Sequence, residues 1–144
     1  MSTPTTNRGF GKVPTTSPDY EAAGPFKALN DALDAIDGAL GVEVDAVDGA
    51  IAIKEGTVFI TKGSAAALTL AAPTSGLPSA GTPGDDGKIL RIVGTTAFAH
   101  TVTTPSNKLN GNKHVATYAN AGDAIVLAAK GGVWYTVANS TTLS

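Results

Sequence analysis

The chain has 144 residues, of which 15% are charged, with ten Lys and Arg against twelve Asp and Glu and a formal net charge of -2. That balance gives no electrostatic footprint for nucleic acid, the absence of cysteine removes any disulfide framework, thiolate nucleophile or Cys-based metal site, and no apolar run approaches the ~18 residues of a membrane span. Seventeen Gly and eight Pro among abundant Ala and Thr describe short strands and turns, and so little charge fits a chain that buries much of its surface in an assembly.

The opening segment MSTPTTNRGFGKVP lacks the apolar region of a secretory signal, so the protein is expected to be made and kept in a cytoplasm. Residues 1–19 are read as an extended arm. They hold too few apolar side chains to fold alone, and Phe10 and Val13, with Arg8 and Lys12 beside them, are anchors suited to a groove on a partner.

Residues 20–49 are read as a helix and a neck. In PFKALNDALDAIDGALG, the apolar residues Phe26, Leu29, Leu33, Ile36 and Leu40 are spaced 3, 4, 3 and 4 apart, which is the a/d seam of a heptad. Pro25 suits the first turn and Gly41 the position past the end, while Asp31, Asp34 and Asp37 fall between seam positions and are expected to face water. A seam that narrow asks for a partner helix, and the simplest one is the same segment of another copy. The glycines crowding Val42 to Gly49 make that stretch an irregular neck.

From residue 50 the period changes from heptad to alternation, and residues 50–144 are read as a β domain. Ala50–Lys54 and Thr57–Lys62 read as two strands around a tight turn, followed by Ala67–Ala71, Lys88–Val93, Phe98–Thr103, Val115–Ala119 and Ala124–Ala129. Lys130, Gly131 and Gly132 turn the chain into Val133–Ala138, and the tail from Asn139 is expected to fray. The fold class is therefore mainly β: an extended arm and one short helix followed by a small β-sandwich or jelly-roll-like domain. Phe59, Phe98, Tyr118, Trp134 and Tyr135 are expected to fill most of its core. The aperiodic stretch Pro73–Gly87 reads as a functional loop or one laid on a neighbour.

No catalytic constellation is visible. His100 sits mid-strand on the face of Phe98 and Val102 and reads as structural, and His114 lies in a turn-rich loop. Asp85 and Asp86 would offer a divalent cation too few oxygens and lack the spacing of a calcium loop, so they read as a Gly-flanked turn entering the next strand. No phosphate loop and no Gly-x-Ser-x-Gly elbow occurs. The chain is expected to be no enzyme and to use no cofactor and no metal.

Asn7-Arg8-Gly9-Phe10, Pro14, Leu29-Asn30-Asp31, Ile36-Asp37 and Leu40-Gly41 resemble the opening motif of tail-fibre and other virion proteins of tailed bacteriophages, with Gly24-Pro25-Phe26 where members usually carry a Trp-Gly pair. The β domain resembles phage capsid-decoration and short-fibre domains. Asp86-Gly87-Lys88-Ile89, His100-Thr101-Val102-Thr103, Leu109-Asn110-Gly111, Ala116-Thr117-Tyr118, Gly122 to Leu127 and Gly132-Val133-Trp134-Tyr135 carry that likeness. The resemblance implies a homotrimer whose arm and helix attach to the particle. The expected function is capsid decoration: a cement protein on the outer head surface of the virion, bound to the major capsid protein through Arg8, Phe10, Val13 and the seam residues Phe26, Leu29, Leu33, Ile36 and Leu40. The alternative is a tail-fibre or receptor-binding module, in which Pro73–Gly87 and Thr104–His114 would contact a host surface glycan or protein.

Overall fold

The computed structural model of the chain describes residues 25–79 and 83–144, with side chains from residue 28 onward. The chain divides between Gly41 and Val42 into two units. In the first, helix α1 runs from Pro25 to Ala39, starting on the proline and stopping just before the Leu40-Gly41 pair, where the Gly41 N–H donates to Gly38 O at 3.1 Å. The arm expected over residues 1–19, with Arg8, Phe10 and Val13, lies outside the described residues.

The second unit is built from ten strands: β1 (Val42–Asp45), β2 (Gly49–Ala50), β3 (Gly56–Ile60), β4 (Ala67–Thr69), β5 (Ile89–Gly94), β6 (His100–Thr103), β7 (Val115–Tyr118), β8 (Ala124–Lys130), β9 (Val133–Asn139) and β10 (Thr142–Leu143). They form two five-stranded sheets, in the orders β1-β3-β5-β8-β9 and β10-β7-β6-β4-β2. The first six strands alternate between the sheets. Thus β1, β3 and β5 lie parallel in one, and β2, β4 and β6 lie parallel in the other. Antiparallel pairs complete each sheet.

Alternation sets the inside. In β3, β5 and β8 the large buried side chains are Val58 and Ile60, Leu90 and Ile92, and Ile125 and Leu127, alternating with residues turned outward. They share one apolar core with Leu68, Val102, Ala116 and Tyr118 of the second sheet. Trp134 of β9 is fully buried, and its indole N–H donates to Ala71 O at 3.0 Å. The β8–β9 turn needs two residues at positive φ, and Gly131 and Gly132 supply them at 58° and 78°.

Several expectations are corrected. Val42–Gly49 is not a neck, because β1 and β2 belong to the β unit. The tight two-strand unit read over residues 50–62 does not form: Ala50 ends β2, which pairs with β4, residues 51–55 lie in no strand, and β3 pairs with β1 and β5. The tail does not fray: β10 pairs with β7, and the Val115 N–H donates to Ser144 O at 3.0 Å. Of the five aromatics assigned to the core, Tyr118 and Trp134 fill it, while Phe98 and Tyr135 are exposed and Phe59 points to the outer side of its sheet. Leucines and isoleucines do the filling instead.

Ile92 and Val93 are neighbours in β5 on opposite sides of the sheet. Replacing Ile92 by Ala is expected to cost about 2–5 kcal/mol, and replacing Val93 by Ala less than about 1 kcal/mol, in urea unfolding followed by circular dichroism.

Candidate interaction surfaces and charged sites

The helix seam is only partly covered. Leu29, Ile36 and Leu40 are 52%, 49% and 46% exposed and Leu33 is half-buried, whereas Asn30 and Asp37 are buried. The expectation that Asp37 faces water is thereby corrected. Asn30 and Asp37 are seven residues apart and share one flank of the helix, so the covered flank lies beside the apolar seam. The side chain of Phe26 lies outside the described residues.

Glu43 and Asp45 of β1 stand in register with Val58 and Ile60, and therefore on the inward side of their sheet, while Val42 and Val44 stand in register with the outward-facing Thr57 and Phe59. The polarity of β1 is thus reversed: Val42 and Val44 are 54% and 61% exposed. Glu43 is held by the N–H groups of Ala52 (2.9 Å) and Ile53 (3.0 Å). Burial, and then the adjacent charge of Glu43, raise the pKa of Asp45.

The outer face of this sheet continues apolar through Phe59 of β3, Ile89 and Val93 of β5, and Val126 and Ala128 of β8. On β9 it ends in the exposed Tyr135, and in Val137 at a bulge opposite Val126 and Leu127. Arg91 is a cation within it, in register with Thr57 and Val126. The other sheet turns a different chemistry outward: Thr101, Thr117 and Thr142 lie in one row, and Thr69 and Thr103 in the next. At the end of that sheet a shallow groove of about 320 Å³ is lined by Ala50, Ile51, Thr69, Leu70, Ala71, Thr103, Thr104 and Pro105, with no charged group.

The two acids singled out in the sequence, Asp85 and Asp86, are buried. Asp85 accepts from Lys54 Nζ (3.1 Å), Lys88 Nζ (2.8 Å) and the Thr74 N–H (2.6 Å). Desolvation alone would raise its pKa, but these donors outweigh it and hold the carboxyl at about 2. Asp86 accepts from Lys130 Nζ (2.8 Å) and the Gly131 N–H (2.7 Å), which lower its pKa too. These oxygens serve as anchors of the chain's own segments. Close packing supports them: a Cβ on Gly84 would collide with the carbonyl of Gly76.

His100 is also structural. Its Nδ1 accepts the Ala66 N–H at 3.1 Å, Nε2 lies 2.8 Å from Thr96 Oγ1, and Phe98 meets the ring edge to face. His114 is exposed. Among the described residues, no three His, Asp or Glu side chains are grouped to hold a metal ion, and no helix is long and apolar enough to cross a membrane.

The described parts thus define a small two-sheet β unit that follows a helix with an exposed apolar seam. No protein-family model matches the chain, and no curated protein sequence is similar to it.

Because the native pKa of Asp85 lies below the ordinary value of 3.8, its ion pairs contribute fully above about pH 4, and that contribution is lost as pH falls toward 2. Asp85→Asn should remove on the order of 1–2 kcal/mol at pH 7, with the gap to wild type closing between pH 4 and 2 in thermal melts. Asp45 has the opposite sign. Its raised pKa opposes folding once unfolded chains ionise, so Asp45→Asn should raise the melting temperature at pH 7 and lose that advantage near pH 3.

Proposed function

We propose that the protein is a structural component of a tailed-phage virion, a capsid decoration protein that binds the major capsid protein on the outer head surface and works as a homo-oligomer, most simply a homotrimer. The observation that carries this reading is the helix Pro25–Ala39, which leaves Leu29, Ile36 and Leu40 at the surface of a unit separate from the β domain. Exposed apolar side chains in a row mark a contact surface. The likeness of the chain's short motifs to virion proteins supplies the kind of assembly.

The chemistry of the β domain supports a structural role. Asp48, Asp85 and Asp86 are each engaged by a lysine and a backbone N–H, and His100 bridges two segments of the core. The alternative of a receptor-binding module gains no specific support from the two loops that would carry it. Residues 108–110 hydrogen-bond to β9, and the buried Asp85 and Asp86 close the other loop.

The purified protein mixed with bare heads of the parent phage is expected to co-sediment in hundreds of copies per head and to raise their resistance to heat. Ile36→Asp, at an exposed seam position, should lower head binding at least tenfold while leaving the circular dichroism of the β domain unchanged. Binding to host cells with none to heads would refute the decoration reading.

A further inference from the structure

We propose that the outer face of the β1-β3-β5-β8-β9 sheet packs against the same sheet of a second copy of this chain, with Arg91 of one copy lying on Tyr135 of the other. This rests on the reading of the protein as a homo-oligomer and names the surface that the helix seam does not explain.

The first ground is the reversed polarity of β1. Shifting β1 by one residue against β3 would turn Val42 and Val44 inward and release Glu43 and Asp45 to water. The observed register does the reverse, at the cost of placing two carboxyl groups beside each other on the core side. Within one chain this register lets Glu43 accept the Ala52 and Ile53 N–H groups, but it leaves Val42 and Val44 in water. A covered outer face makes this register favourable, because the two valines then extend the apolar surface of Phe59, Val93 and Val126 to the edge of the sheet. The sister sheet, equally distant from the core, turns threonines outward. Water suffices for that face, and a second copy seated on the apolar one accounts for the difference between the two.

The second ground is that the sheet edges are unsuited to pairing between copies. Acids turned inward on an edge strand oppose docking of a further strand, and β1 carries two. On β9 the edge is already taken: Trp134 N–H donates to Lys108 O (2.9 Å), Asn110 N–H donates to Trp134 O (2.8 Å), and Asn110 Oδ1 accepts from Thr136 N–H (2.9 Å). The remaining edge strands, β2 and β10, have two residues each. Copies that associate through this unit must therefore do so by faces.

The occupant follows from what the face carries and from its size. Arg91 stands in the middle of an apolar surface, and a guanidinium there is best satisfied on an aromatic ring. Tyr135 lies two strands away and one step along, roughly 12 Å by strand geometry. A two-fold axis between them brings each Arg91 onto the other copy's Tyr135, so the face complements itself and pairs two copies, or two trimers, across that axis. Five strands of about six residues span on the order of 500 Å². That is more than half of the ~800 Å² per partner of a stable interface.

The test uses the full chain in sedimentation velocity over a concentration series. Wild type should sediment as an oligomer. Val44→Lys and Tyr135→Ala, both at exposed positions, should weaken association at least tenfold, and Thr117→Lys on the other sheet should leave it unchanged. A wild-type monomer at every concentration, or face variants that associate like wild type, would overturn the proposal. A photocrosslinker at position 135 of the otherwise unaltered chain covers the case in which a variant misfolds: adducts to the Arg91 strand of a second copy support the interface, while adducts only to capsid protein, or none, refute it. Head binding is scored separately. An oligomer that ignores heads removes the decoration reading alone, and heads coated by a monomer remove this inference and the homo-oligomer with it, leaving head binding in place.

Discussion

The two adjacent carboxylates at Asp85 and Asp86 hold the β unit together at the point where its winding is least constrained. After β4 the chain leaves the second sheet, makes its longest excursion and must re-enter the first sheet at β5 in one register. Asp85 ties the re-entry to Lys54, Lys88 and Thr74, and Asp86 ties it to Lys130 and Gly131 of the β8–β9 turn. Buried charges tolerate little displacement from their partners, because an unpaired one costs several kcal/mol. With that point pinned, Leu90 and Ile92 fall inward beside Val58, Ile125 and Leu127. A one-residue slip would exchange them for Arg91 and Val93.

Passing between two sheets on successive strands also decides what the outside looks like. Each inner face contributes to one core, and each outer face is left to its own composition. One became a ladder of threonines and the other a run of valine, isoleucine and phenylalanine around Arg91. Edge strands that are two residues long, blocked by inward acids or already hydrogen-bonded to a loop keep such a unit from stacking through its backbone. Among the described residues, side-chain faces and the helix seam remain as the exposed apolar surfaces.

Local chemistry was legible where a single residue type dictates the backbone. Pro25 and Gly41 bracket the helix, Gly131-Gly132 makes the tight turn, and the alternation of Ile89 to Gly94 and of Ala124 to Lys130 marks the inner face of each strand. Reading failed where the answer depended on a distant partner. Residues 50–62 look like a local two-strand unit because both halves alternate, but tertiary pairing puts Ala50 and β3 in different sheets and leaves residues 51–55 in no strand. Asp37 looks solvent-facing on a heptad, yet the covered flank of the helix is the one it shares with Asn30. The reversal of β1 carries no local mark, since V-E-V-D alternates equally well either way up. Asp85 and Asp86 could be read only as a turn, because Lys54 and Lys130, which pair with them, are 31 and 44 residues away.

Local pattern alone marks a mainly β chain with one short amphipathic helix, because periodicity and turn residues are local properties of neighbouring side chains. It also determined that the helix stops near Gly41. Tertiary structure alone decided that the first six strands wind in parallel between two sheets, which of two alternating faces of β1 is buried, and that an acidic pair in a loop is a structural anchor. Those outcomes depend on which segments far apart in the chain share a register, and no local preference encodes that choice.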